Sequence, residues 1–159
     1  MNDKGEHKKQ LSHVDQQGNA RMVDVGSKKI QRRKAEASGM IHTATKTIEA
    51  IKDDQVKKGN VLAVARVAGI QAAKSTSSLI PLCHILPLDA VQINFEFRDN
   101  AILATCKVAC QARTGVEMEA LTGVSVALLT VYDMCKAIDK EMIIDQIRLI
   151  NKQKEDLIG

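Results

Sequence analysis

AVQINFEFRDNAILATCKVACQ, residues 90–111, decides the fold. Val91, Ile93, Phe95 and Phe97 alternate with Gln92, Asn94 and Glu96, and a period of two marks a strand with one buried face. Asp99-Asn100 is a turn signal, after which Ile102, Ala104, Cys106, Val108 and Cys110 again fall on one side. The stretch predicts a hairpin with a single apolar face. Such a face needs a cover, and the sequence on either side supplies helical patterns.

Downstream, RTGVEMEALTGVSVALLTVYDMCKAI, residues 113–138, predicts a helix from about Val116 to Ala137, apolar around most of its circumference and therefore largely buried. Upstream, NVLAVARVAGIQAAKSTSSLI, residues 60–80, predicts a helix capped by Asn60. Its small residues Ala65, Ala68, Gly69, Ala72 and Ala73 allow close packing on another element. Residues 43–55 predict a short helix with Thr43 as its cap, and EMIIDQIRLIN, residues 141–151, a further strand packed near the hairpin. Together these give an α+β domain, an antiparallel sheet covered by helices. Residues 1–20 are polar and without periodicity, so they are expected to form an N-terminal arm, with residues 21–159 the single domain.

Composition narrows the function classes. Apolar residues make up 45% of the chain and aromatic residues only 2%, so few rings exist on which single-stranded nucleic acid could stack. The net charge of +4 suits an anionic small molecule as readily as a nucleic acid. No apolar run reaches the roughly 18 residues of a membrane span, and MNDKGEHKKQ at the N-terminus lacks a signal-peptide core, so a cytoplasmic location is expected. The four cysteines form no CxxC pair, and Cys106 and Cys110 lie about 13 Å apart on a strand, too far to share a metal. They are expected to be reduced, mostly buried thiols with no metal site.

Several residues are candidates for chemistry. MVDVGSKKIQRRKAEASG, residues 22–39, concentrates Lys28, Lys29, Arg32, Arg33 and Lys34, either as a solvated basic strand or loop or as an anion-binding arm. Lys58 stands just ahead of a helix N-terminus, where free N–H groups favour anions. Pro81 and Pro87 bracket PLCHILP and hold His84 in a constrained loop. Glu117 and Glu119 differ by about 200° of helical rotation, so they share a side only where the chain is extended. Glu117 and Asp133 stand about 24 Å apart along a straight helix and cannot reach one substrate atom. Their placement has two explanations. Either the acids favour the positive end of the helix dipole while Asp133 and Lys136 form a surface ion pair, or the helix packs antiparallel on its copy and each site is shared.

MVDV, KGNVLAVARVAGIQAAK, IPLCH and TGVEMEALTGVSVALLTVYDMCKA, in this order, resemble the cyclic pyranopterin monophosphate synthase family of molybdenum cofactor biosynthesis, over about residues 11–150. The resemblance implies a ferredoxin-like α+β subunit assembled as a hexamer, a trimer of dimers, with sites at subunit interfaces. It implies a lyase of the phosphorus–oxygen class that converts 3′,8-cyclo-7,8-dihydroguanosine 5′-triphosphate to cyclic pyranopterin monophosphate and releases diphosphate. No cofactor is implied. The substrate would come from an upstream radical S-adenosylmethionine enzyme. By resemblance, Asp133, Lys136 and Lys58 are catalytic. Leu82, Cys83, His84, Glu117, Met118 and Glu119 line the substrate pocket, and Lys28, Arg33 and Lys74 hold phosphates. Among other cations, a buried Lys136 would titrate below the ordinary lysine range and serve as a base.

The chain departs from the family pattern at Ile85, where a proline is usual, at Asn60 for an aspartate, at Arg113 for a lysine, and in NKQKEDLIG, which stands where a Gly/Lys-rich tail is usual. The alternative function is a non-catalytic oligomeric module that holds a purine nucleotide or polyanion. A nucleic-acid binder using residues 28–34 is the weaker third option, disfavoured by Glu117 and Glu119.

Overall fold

The hairpin forms as its alternation requires. Leu88–Arg98 and Ala101–Ala112 pair antiparallel, with Phe97 opposite Ile102 and Ile93 opposite Cys106. Asn100 makes the turn at φ 52, a left-handed conformation that asparagine tolerates better than most residues. The computed structural model describes residues 14–15 and 17–157. In chain order its elements are β1 (Gln31–His42), α1 (Thr45–Lys52), α2 (Val61–Lys74), α3 (Thr76–Leu79), β2 (Leu88–Arg98), β3 (Ala101–Ala112), α4 (Glu117–Cys135) and β4 (Ile143–Asp156). One antiparallel sheet runs in the order β2-β3-β1-β4, the β-α-β-β-α-β topology that a ferredoxin-like subunit requires.

At the basic stretch, residues 28–34, the fold decides between the two readings, a basic strand or loop and an anion-binding arm. Arg32, Arg33 and Lys34 do not belong to an arm, because they open β1, the strand paired with β3 on one side and β4 on the other. Alternate positions of β1 that reach the core are Ala35, Ala37 and Ile41, too small a set to give a strong apolar alternation. β4 pairs with β1, so it lies one strand away from the hairpin rather than beside it. Of the expected arm, Val14 bridges Ala20, while residues 1–13 and 16 lie outside the described residues, as do residues 158–159 at the other end.

The helices lie on one face of the sheet. Ala120, Val124, Ala127, Leu128 and Val131 of α4 are all 0 or 1% exposed and join Ala37, Ile41, Ile102, Cys106 and Cys110 of the sheet in one core. By length and composition α4 is apolar enough to cross a membrane, which corrects the expectation that no segment is. Half of its most apolar window is nevertheless buried, as in the core helix of a folded domain. α2 crosses α4 at two glycines. A Cβ on Gly69 would stand 2.8 Å from the Gly123 carbonyl oxygen, and one on Gly123 would stand 2.7 Å from Cys106 Sγ. Those contacts are closer than heavy atoms allow, so the crossing exists because neither residue has a side chain.

Two helix boundaries differ from expectation. α1 starts after Ala44, not after a Thr43 cap, because Thr43 donates its hydroxyl to Asp139 at 2.8 Å and the same carboxylate accepts the Ala44 N–H at 2.8 Å. The long upstream helix breaks at Ser75, where the Thr76 hydroxyl bonds back to the carbonyls of Ala72 and Ala73. Asn60 caps α2 as predicted, accepting the Ala63 N–H at 2.9 Å.

Candidate active site at the two ends of α4

The N-terminal end of α4 opens on a cavity of about 550 Å³. Seven of the sequence candidates line it: Lys28, Leu82, Cys83, His84, Glu117, Met118 and Glu119. Glu117 and Glu119 both reach it although the chain there is already helical, which corrects the expectation that only an extended segment would let them share a side. The cavity lies over the helix end, so it is reached from more than one side of the helix. Glu117 is half-buried and folds back over Gly115, with Lys152 Nζ 3.1 Å from its carboxylate.

Glu119 is only 4% exposed, and burial pushes its carboxyl above the usual range, opposed by its own backbone N–H and reinforced by the neighbouring Glu117 charge. A carboxyl that binds its proton more tightly than usual can deliver it as an acid. Cys83 is also pushed up, first by burial and then by Glu119, so it stays a thiol rather than a thiolate nucleophile. Cys106, Cys110 and Cys135 are buried free thiols raised by burial to about 12, 11 and 11. His84 is held by a 2.7 Å contact between Nε2 and the backbone carbonyl of Val23.

Arg33 does not enter this cavity. It lines an adjoining one of about 310 Å³ with Lys34, Lys152 and Lys154, and the two cavities share Gly115, Glu117 and Lys152. The Nε of Arg33 is buried without a protein partner, while its Nη2 donates to the Arg113 carbonyl at 3.4 Å. Lys74 lies further away, in a cleft of about 470 Å³ with Pro87 and Asp89 that shares Leu86 with the main cavity.

The other three candidates meet at the C-terminal end of α4. Lys58 Nζ stands 2.7 Å from one oxygen of Asp133 and Lys136 Nζ 2.7 Å from the other, and Lys58 also donates to the Asp133 backbone carbonyl at 2.9 Å. The loop before α2 thus delivers Lys58 onto the helix end, where cations favour the unpaired carbonyls. Hydrogen bonds from Lys136 and then Lys58 lower the Asp133 carboxyl to about 2. Lys136 is more than half exposed and is raised by Asp133, the reverse of the depressed lysine that burial would have produced. It is therefore protonated at neutral pH.

Both clusters are built by one helix, yet Glu117 and Asp133 are separated by 16 residues of it, about 24 Å. Lys152 and Lys154 are functional candidates that sequence reasoning missed. Their only signal is alternation in NKQKED, where Lys152 and Lys154 point to the same side of β4. Among the described residues, no group of three or more His, Cys, Asp or Glu side chains could hold a metal ion.

The model of the MoaC family matches residues 22–155. A cyclic pyranopterin monophosphate synthase of Chloroflexus aurantiacus is 55% identical over 146 residues, covering 91% of this chain and 90% of the relative. One of Novosphingobium aromaticivorans is 54% identical over 90% of the chain and 91% of the relative. A probable cyclic pyranopterin monophosphate synthase of Thermococcus kodakarensis is 53% identical over 92% of the chain and 97% of the relative.

Proposed function

The chain belongs to the MoaC family and serves molybdenum cofactor biosynthesis as a cyclic pyranopterin monophosphate synthase, and we propose how its residues divide that work. In the reaction we propose, it takes 3′,8-cyclo-7,8-dihydroguanosine 5′-triphosphate, rearranges the purine to a pyranopterin, closes the cyclic phosphate and expels diphosphate, as a phosphorus–oxygen lyase. The domain over residues 21–159 works in the cytoplasm, on a substrate made by a radical S-adenosylmethionine enzyme.

The cavity at the N-terminal end of α4 receives the purine part. Lys28, with Arg33 and Lys152 alongside, holds phosphates, where charge-assisted hydrogen bonds strengthen as water is excluded. Lys74 contributes from the edge. Asp133, Lys136 and Lys58 move protons and neutralise the developing charge at the reacting phosphate. The observation that carries this reading is the separation of the two clusters along α4. Neither is a complete site, since the acids face a cavity that Lys58, Asp133 and Lys136 do not line, and those three stand exposed at the opposite end of the helix. A two-fold pairing of chains with antiparallel α4 helices would bring the acidic end of one copy to the Lys58, Asp133 and Lys136 end of its partner, making two equivalent sites. Exposed Leu129 on α4 and Ile147 and Leu149 on β4 support such a pairing by offering apolar surface for a partner. Three such dimers would form the hexamer.

The test is direct. Purified protein given the cyclised nucleotide should release diphosphate and yield a product that oxidises to a fluorescent pterin. Binding without turnover would replace this reading with the non-catalytic purine-nucleotide module.

A further inference from the structure

The segment Val23–Lys28 crosses the main cavity as a short strap fixed at both ends. At one end the Val23 carbonyl lies 2.7 Å from His84 Nε2. At the other the Lys28 carbonyl accepts from Arg113 Nε at 3.1 Å. Between them the strap is folded on itself, because Asp24 Oδ1 accepts the Gly26 N–H at 2.7 Å and the Val25 carbonyl accepts the Lys28 N–H at 3.0 Å. Val23, Val25 and Lys28 all line the cavity with His84.

A backbone carbonyl has no proton to give, so the short contact at Val23 requires a proton on Nε2 of His84. In the neutral ring the free lone pair is then on Nδ1. Nδ1 has no hydrogen-bond partner among the described residues. We infer that the strap is a positioning device for His84: the Val23 carbonyl selects the Nε2–H tautomer and leaves Nδ1 as the proton-exchanging atom, and Arg113 keeps the strap in place by holding Lys28. When Nδ1 takes a proton from the substrate, the imidazolium keeps its Nε2–H on Val23 and returns the Nδ1 proton in a later step. The ring therefore cycles without turning, the role that a fixed acceptor plays beside a working histidine.

Either an arginine or a lysine at position 113 could donate to a carbonyl. The Arg113 guanidinium bonds the cavity residue Lys28 at the backbone carbonyl. It acts on the site through the Lys28 backbone, which also bears the ammonium proposed to hold phosphate.

This inference deepens the proposed function and rests on it for the proton cycle, but the tautomer can be read without substrate or turnover. Protein with 15N-labelled histidine is examined by long-range proton–nitrogen correlation above the ring's titration, and the His84 signal is identified by its loss in His84→Gln. A protonated Nε2 and a lone-pair Nδ1 are expected; the opposite tautomer, or an even mixture, overturns the assignment. Arg113→Ala should shift His84 towards a mixed population and raise KM several-fold more than it lowers kcat, and Arg113→Lys should restore both. An unchanged tautomer ratio in a folded Arg113→Ala protein removes the strap from the account. Loss of turnover with the expected tautomer intact would instead count against the proposed reaction alone.

Discussion

The two ends of α4 hold carboxylates driven in opposite directions by their surroundings. At the N-terminal end Glu119 is nearly dehydrated, and burial raises it above the usual carboxylate range. At the C-terminal end Asp133 sits in water between two ammonium groups, and hydrogen bonds from Lys136 and Lys58 draw it down to about 2. One helix therefore presents a carboxyl suited to holding a proton and one that stays ionised. Environments that separate two like groups in this way commonly mark a division of acid and base work. Here the division also runs along a distance that one chain cannot close by itself.

The most damaging change to this contrast is Asp133→Ala. It should lower turnover by about 10²–10⁴-fold, the range for a lost proton-transfer group, while leaving thermal stability nearly unchanged because the ion triplet is exposed. A large fall in melting temperature would mean that the triplet serves the fold. Lys136→Arg keeps the charge but cannot release a proton near neutrality, so it should lose about as much activity as Lys136→Ala. Rescue by arginine would reduce Lys136 to a phosphate contact.

Stability against pH distinguishes the ends more finely. Glu119 is raised in the fold, so its ionisation costs stability that grows as pH rises through the carboxylate range. Glu119→Gln should therefore melt higher than the parent at neutral pH, and the difference should shrink in acid. Asp133 is lowered, so its contribution is present above the ordinary carboxylate range and lost as pH falls towards about 2. Asp133→Asn should show a small deficit at neutral pH that vanishes at the acid limit. Curves of the same sign for both variants would dissolve the contrast. The frame that sets the helix is tested separately. Gly123→Ala at the crossing with α2 should cost about 1–3 kcal/mol by overpacking, measured by denaturant unfolding.

How much of this the sequence revealed depends on what each residue packs against. The hairpin and α4 were legible because their apolar periods are strong, and the pocket loop because Pro81 and Pro87 isolate His84. β1 was not, since a central strand made of Ala35, Ala37, Gly39 and Ile41 behind three cations has the pattern of a polar segment. The cavity residues were located through motif resemblance, whereas Lys152 had only the alternation of NKQKED and Arg113 only a departure from the family pattern. Their roles come from pairings 35 and 85 residues distant in sequence, which no local pattern encodes. The direction of the Lys136 shift was likewise beyond reach, because it depends on whether the ammonium is buried or stands in solvent beside Asp133.

The central claim is that each site is completed by a second chain, and subunit exchange tests it most directly. Glu119→Ala and Asp133→Ala proteins, each inactive alone, are mixed under conditions that exchange subunits, with exchange verified by differential labelling. Random pairing makes about half the dimers mixed, and each mixed dimer restores one of its two sites, so activity should return to about a quarter of the wild-type value. Activity no higher than either parent, with exchange verified, would place both residues in one chain's site and contradict the account.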